Sequence, residues 1–198
     1  MRIILFILLF HNLGFCQWHK NMINDSIVFN QTIHKRLYEF KIPETPFSVT
    51  LIEYFNGNFK GTINISVYRR YKNVIEDFES RLKIGDKKVK RLFNELDQNQ
   101  FELLSQPEIQ ENCKMYLDGD FTFFTITTPV ISKTIYFDGI YLDAIEEDCE
   151  SNLKAQKILN LLSKEIDFKS QLEKFKNVLP SGNYSYITGA LLNQFIVE

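Results

Sequence analysis

Thr62-Ile63-Asn64-Ile65-Ser66-Val67-Tyr68 alternates cleanly, with Ile63, Ile65 and Val67 on one side and Thr62, Asn64, Ser66 and Tyr68 on the other. Successive side chains leave a pleated strand on opposite faces, so this stretch reads as a strand with one buried face. Upstream, Phe47 to Phe55 is rich in β-branched and aromatic residues, and Asn56-Gly57-Asn58 is a turn signal. The two runs are therefore expected to form a hairpin. Downstream, Tyr71 to Ile84 fits two patterns. Val74, Phe78, Leu82 and Ile84 share a face at strand spacing, whereas Tyr71, Val74, Ile75, Phe78 and Leu82 share one at helical spacing. A lone hairpin is marginal in water and gains from another strand. We therefore read a third strand after a turn at Lys72-Asn73, although Glu76, Asp77 and Glu79 favour the helix.

Gly85 breaks the chain, and Asp86 is a good helix cap. Val89, Leu92, Phe93 and Leu96 then fall on one helical face, with the helix ending between Asn99 and Leu104. After a loop with Pro107 and Cys113, Asp118-Gly119-Asp120 is a turn. Phe121 to Thr128 and Ser132 to Phe137 form a second expected hairpin, broken at Pro129 and closed by Asp138-Gly139. A last helix, capped by Ser151 or Asn152, carries Ala155, Ile158, Leu159, Leu162 and Ile166 on one face. Asp167 restarts it through Phe168, Leu172, Phe175 and Leu179, up to Pro180. The apolar tail, with Leu191, Leu192, Phe195, Ile196 and Val197, is expected to dock on the domain. Strand runs interrupted by single helices predict an α+β fold. Its expected order is β-hairpin, third strand, helix, second β-hairpin, helix, in a single antiparallel sheet with the helices packed on one face.

The chain opens with Met1 and Arg2, then Ile3 to Phe10 without a polar residue. One charge before a short apolar run is the order of a secretory signal peptide, too short to span a bilayer. Gly14 and Cys16 place small residues at the positions read by signal peptidase, so cleavage is expected after Cys16, leaving Gln17 first. Lipidation of Cys16 is the rival reading, and Phe15 disfavours it. Three segments follow: signal peptide 1–16, a partly irregular lead-in 17–46 with an edge strand at Leu37–Ile42, and one α+β domain at 47–198. No later stretch reads as a membrane span.

Removing Cys16 leaves Cys113 and Cys149, which an oxidising compartment would pair, two separate buried thiols being the alternative. Two cysteines without a neighbouring histidine make a poor zinc site. A net charge of −2 gives no electrostatic reason to expect nucleic acid. Of the three histidines, His11 lies in the signal, and His19 and His34 lie in the lead-in, a poor place for an imidazole held against a nucleophile. No nucleophile elbow, phosphate loop, dinucleotide fingerprint or zinc-protease motif occurs, and no catalytic, cofactor or metal residue is assigned.

Four weaker features remain. Asp118, Asp120, Asp138 and Asp143 lie near turns that could bring carboxylates together for glycoside hydrolysis, though Asp-Gly is foremost a turn dipeptide. Glu146, Glu147 and Asp148, flanked by Asp143 and Glu150, make an acidic patch around Cys149. Lys87, Lys88, Lys90 and Arg91, with Lys83, make a basic patch at a helix start, where positive charge opposes the helix dipole. Both patches are candidate interaction surfaces, or simply solvated faces. Tyr68, Tyr71, Tyr184 and Tyr186 flank polar residues, as recognition aromatics do. Glycosylation sequons begin at Asn24, Asn30, Asn64 and Asn183.

The signal ending Gly14-Phe15-Cys16-Gln17 resembles those of exported proteins of Bacteroidota, and the element order from Thr62 to Phe168 is loosely similar to small exported α+β domains of unknown function there. The resemblance implies a periplasmic or secreted location and carries over no functional residue. The leading expectation is an exported, non-enzymatic binding module for a protein or cell-envelope component. A carboxylate-dependent hydrolase of envelope polymers and an inhibitor or immunity protein are the alternatives.

Overall fold

The computed structural model describes residues 27–107, 113, 121–142, 149–188 and 191–198. Within them lie β1 (His34–Lys41), β2 (Phe47–Tyr54), β3 (Phe59–Tyr71), β4 (Val74–Ile84), α1 (Asp86–Gln98), a 3-10 turn (Phe101–Leu103), β5 (Phe121–Thr127), β6 (Ser132–Asp138), α2 (Glu150–Ile166), α3 (Phe168–Lys176), β7 (Gly182–Thr188) and β8 (Leu191–Val197). The strands form one curled antiparallel sheet in the order β6-β5-β1-β2-β3-β7-β8, with β4 also pairing β3. The fold is α+β, with the helices on one face, as the sequence predicts.

The alternation at 62–68 sets the sheet's two faces. Ile63, Ile65 and Val67 are buried in the core, and their partners across the ladders, Val49, Phe47 and Phe78, point the same way. The segment 74–84 is a strand, as expected, paired with β3 from Gly61↔Ile84 to Tyr71↔Val74. Lys72 and Asn73 both take positive φ, 46° and 66°, the left-handed pair that a tight two-residue hairpin requires. This turn reverses the chain so closely that β4 lies flat along β3, which the helical alternative forbids.

Aromatic rings fill the space between sheet and helices and account for the many phenylalanines. Tyr38 contacts Phe93 and Phe101, Phe40 stacks on Phe101, and Phe124 touches Phe40, Phe101 and Phe137, all at centroid distances between 4.9 and 5.8 Å. Phe47 meets Phe168 of α3 at 5.3 Å. Helix α1 presents Val89, Leu92, Phe93 and Leu96 to this core, the face read from the sequence. It packs tightly on β3 at Gly61, where a Cβ would lie 2.6 Å from Val89 Cγ2.

Of five further expectations about the fold, three differ from the structure and two hold. The strand read as an edge at Leu37–Ile42 is an inner strand, β1, held between β2 and β5, so the sheet starts well before Pro46. Its charged residues hide it: Lys35, Arg36, Glu39 and Lys41 interrupt the apolar pattern, yet Leu37, Tyr38 and Phe40 are buried. The tail does dock, and it does so as the hairpin β7–β8. Gly85 caps α1, and Asp86 is the first helical residue. Cys149, not Ser151 or Asn152, caps α2, its sulfur accepting the Asn152 backbone N–H at 3.5 Å, while Ser151 and Asn152 are buried. The restart at Asp167 holds: it takes φ 52° and accepts the Ser170 N–H at 3.2 Å, ending α2 and starting α3.

Candidate binding groove

β3 is long enough to carry two neighbours along one edge. Its first half pairs β2, from Glu53↔Phe59 to Phe47↔Ile65; beyond that, Tyr68 pairs Ser185 of β7. Where β2 ends and β7 begins, the sheet is notched. The notch is an open groove of about 700 Å³ lined by Lys41, Ser48, Asn64, Ser66, Tyr68 and Tyr186, with Thr45, Pro46, Phe47 and Ile187 completing its walls. Asn64, Ser66 and Tyr68 form the floor because they are the polar side of the alternating stretch. Tyr186 fixes one wall by donating its hydroxyl to the Glu44 carbonyl at 3.0 Å. Asn64 is held from both sides: its amide lies 3.5 Å from Ser48 Oγ, and its oxygen accepts Arg81 Nε at 3.0 Å. Lys41 is the charged lining residue, its ammonium 5.5 Å from the Phe123 ring.

The groove thus offers two phenol rings, hydroxyls, one amide and one cation on rigid strands. Such a set binds polar, hydrogen-bonding chains, the aromatic faces supplying contact area and the polar tips orientation. Its lining residues include no carboxylate, histidine or cysteine.

The strongest electrostatic centre lies elsewhere. Arg36 donates Nε to Glu53 Oε2 at 2.6 Å, pairs with Asp97 of α1, and sits 4.8 Å from the Phe93 ring. Lys35 Nζ also reaches Glu53, at 2.9 Å, and Tyr38 donates its hydroxyl to Glu102 at 2.5 Å. Burial opposes charge on Arg36, but its hydrogen bonds to Asp97 and Glu53 and the surrounding negative charge hold it more firmly protonated than an ordinary arginine. Burial also disfavours the Glu53 carboxylate, yet bonds from Lys35 and Arg36 outweigh it and keep Glu53 below the usual carboxylate range. Burial, then the bond to Glu102, pushes the Tyr38 phenol well above its usual range. Each charge here is matched, and the cluster joins β1 and β2 to α1 and the 3-10 turn. We read it as structural. Only the Lys35-Arg36 pair and Glu53 hinted at it, and their register was not legible.

The residues singled out from sequence disperse. Tyr68 and Tyr186 both line the groove. Tyr71 is half exposed at the β3–β4 tip. Tyr184, expected on the surface, is buried; its hydroxyl donates to the Pro180 carbonyl at 2.6 Å, and its ring stacks on Phe195. In the basic patch, Lys88 donates to the Glu165 carbonyl at 2.5 Å and Arg91 pairs with the Glu165 carboxylate, so these two bind α1 to the end of α2. Lys87 and Lys90 stay exposed. Lys83 lies 3.0 Å from Asp86. Asp138 ends β6, its carbonyl 3.5 Å from the Asn152 amide. Asp118, Asp120, Asp143, Glu146, Glu147 and Asp148 lie outside the described residues. His34 is buried against Phe29 and Tyr54, and its Nδ1 accepts the Asn30 N–H at 3.0 Å. Cys113 and Cys149 are at bonding distance, with Cα atoms 4.8 Å apart. Among the described residues, no cluster of three or more histidine, cysteine and acidic side chains forms a metal site, and no helix is long and apolar enough to cross a membrane.

Fold and groove together define an α+β protein with a notched, curled sheet and an aromatic, polar groove at the notch. No family model matches the chain, and neither the curated proteins nor the solved structures provide a match.

Proposed function

We propose that this chain is an exported binding module that holds an extended segment of a protein or envelope polymer in the β2–β7 groove. The observation that carries the reading is the convergence of Tyr68, Tyr186, Asn64, Ser66 and Lys41 on one open notch built from strands. A site on rigid strands keeps its geometry without a ligand, so little ordering cost opposes binding. Export after cleavage behind Cys16, into the periplasm or the medium, is supported by the signal-like start and by the Cys113–Cys149 pair, since such bridges persist in oxidising compartments.

The test uses the processed protein, immobilised, with two probes: isolated peptidoglycan sacculi and a solubilised envelope protein fraction. The combined variant Tyr68→Ala/Lys41→Ala is expected to lower capture at least about tenfold, the effect of losing an aromatic anchor and a charge. Lys87→Ala/Lys90→Ala is expected to leave capture unchanged. Equal capture by the groove variant and the parent protein, or no capture of either probe, would sink the reading.

A further inference from the structure

Among the described residues the sheet has three outer edges, and they are not alike. The β6 edge is closed by a side chain: the Gln106 amide accepts the Tyr136 N–H at 2.9 Å and donates to the Tyr136 carbonyl at 2.8 Å, standing in for a neighbouring strand. The β4 edge is guarded by charge, with Glu76, Asp77, Glu79, Arg81 and Lys83 along the strand. The third edge, β8, reads Leu191-Leu192-Asn193-Gln194-Phe195-Ile196-Val197, with no charge, proline or glycine. Among the described residues, only β7 pairs with it. Sheets generally protect such edges, because an unguarded one is a template for another strand.

The exposed face of the same hairpin is apolar. Ile187, Leu192 and Ile196 are 59%, 56% and 71% exposed, and the register places Leu192 opposite Ile187. We propose that β8 pairs antiparallel with β8 of a second copy, about a two-fold axis at Gln194. The strand is self-complementary in this register. Leu192 of one copy faces Ile196 of the other on the exposed face, Gln194 faces its own counterpart, and Asn193 faces Phe195. The uncharged strand brings no like charges together at the seam, as a symmetric interface requires. The two sheets become one continuous sheet, and both grooves remain open, since β7 separates them from the seam.

Sedimentation velocity on the processed full-length protein, from about 1 μM to about 1 mM, reads the association directly. A concentration-dependent monomer–dimer equilibrium is expected. Leu192→Lys/Ile196→Lys and Leu192→Glu/Ile196→Glu are each expected to weaken it more than tenfold, because like charges meet across the axis. An equimolar mixture of the two is expected to recover a heterodimer. Both sites are solvent-exposed, so near-UV circular dichroism and thermal melting of the variants, taken at concentrations where the parent is monomeric, should match the parent. Gln194→Cys reports the register independently and should give an intermolecular disulfide that Asn183→Cys does not. A parent protein monomeric at every concentration overturns the pairing and leaves the edge to a strand of another protein. A dimer indifferent to both charged variants, or a mixture that stays monomeric, overturns it equally.

Discussion

Arg36 and Glu53 sit directly opposite each other on the β1–β2 ladder, and the guanidinium Nε lies 2.6 Å from the carboxylate Oε2. The pair is half-hidden under α1: side-chain exposure is 14% for Arg36 and 10% for Glu53. Removing one partner leaves a poorly solvated charge. Arg36→Met is therefore expected to lower stability by roughly 2–4 kcal/mol, less than for a fully buried pair lost at full cost. Lys35 remains beside Glu53 and moderates the loss. The double variant Arg36→Met/Glu53→Met should recover much of it. Urea denaturation of the three variants checks the prediction, and a double variant as weak as the sum of the singles would contradict it.

Acid should unfold the protein in two stages. Burial holds His34 below its ordinary value of 6.5, and its Nδ1 is engaged as an acceptor, so the folded state favours neutral imidazole. As pH falls below 6.5, the unfolded chain takes the proton first, and stability declines until the folded histidine protonates too. Glu53 is held below its ordinary 4.5, so its contribution is complete above that value and is lost as pH falls through its lower folded value. Glu39 acts in the opposite sense, because burial raises its value and favours the protonated, folded form. His34→Asn keeps an acceptor near Nδ1 but cannot titrate. It should flatten the upper stage and leave the lower one, as read by melting temperature between about pH 2 and 8, which spans both stages. An unchanged upper stage would place its origin elsewhere.

Gly61 should not tolerate a side chain. Its backbone is an ordinary strand, but a Cβ there would lie 2.6 Å from Val89 Cγ2 and 3.2 Å from Leu51 Cδ2. Gly61→Ala is expected to cost about 1–3 kcal/mol through overpacking between β3 and α1. Val89→Ala makes room, so the double variant should be less destabilised than the two singles together. Strict additivity in guanidinium denaturation would show that helix and strand simply move apart.

How much of this was legible beforehand follows from how each residue spends its side chain. Ile63, Ile65 and Val67 each need the core, so their alternation reports a strand and its buried face without help. Val89, Leu92, Phe93 and Leu96 do the same for α1. β1 reads as an edge because Arg36 and Glu39 look like surface residues. Arg36 is neutralised by Glu53 and Asp97, partners 17 and 61 residues away, and no local window shows that. Tyr184 reads as a surface residue for a similar reason, since its hydroxyl is satisfied by the Pro180 carbonyl. The groove is half legible: Tyr68 and Tyr186 read as recognition aromatics, but their place on one notch depends on β3 outrunning β2 and pairing β7 beyond it. Such a notch is a property of ladder lengths, which alternation alone does not encode.

Cys149 does two jobs, and its loss should separate them. It bridges Cys113 across 36 residues, and its sulfur caps α2 through the Asn152 N–H. Closing a loop of that size restricts the unfolded chain by about 4 kcal/mol in the chain-entropy model. Cys113→Ser removes the bridge and leaves a cysteine at the cap. Cys149→Ser removes the bridge but supplies a hydroxyl, a better cap than sulfur, recovering up to about 1 kcal/mol. Cys149→Ala loses both. The expected order of melting temperature is parent, then Cys149→Ser, then Cys113→Ser, then Cys149→Ala, with reductant lowering only the parent. A parent whose melting is unmoved by reductant, with two thiols already titratable in the native protein, would mean that the bridge does not form. The residual difference between Cys149→Ser and Cys149→Ala would then measure the cap alone.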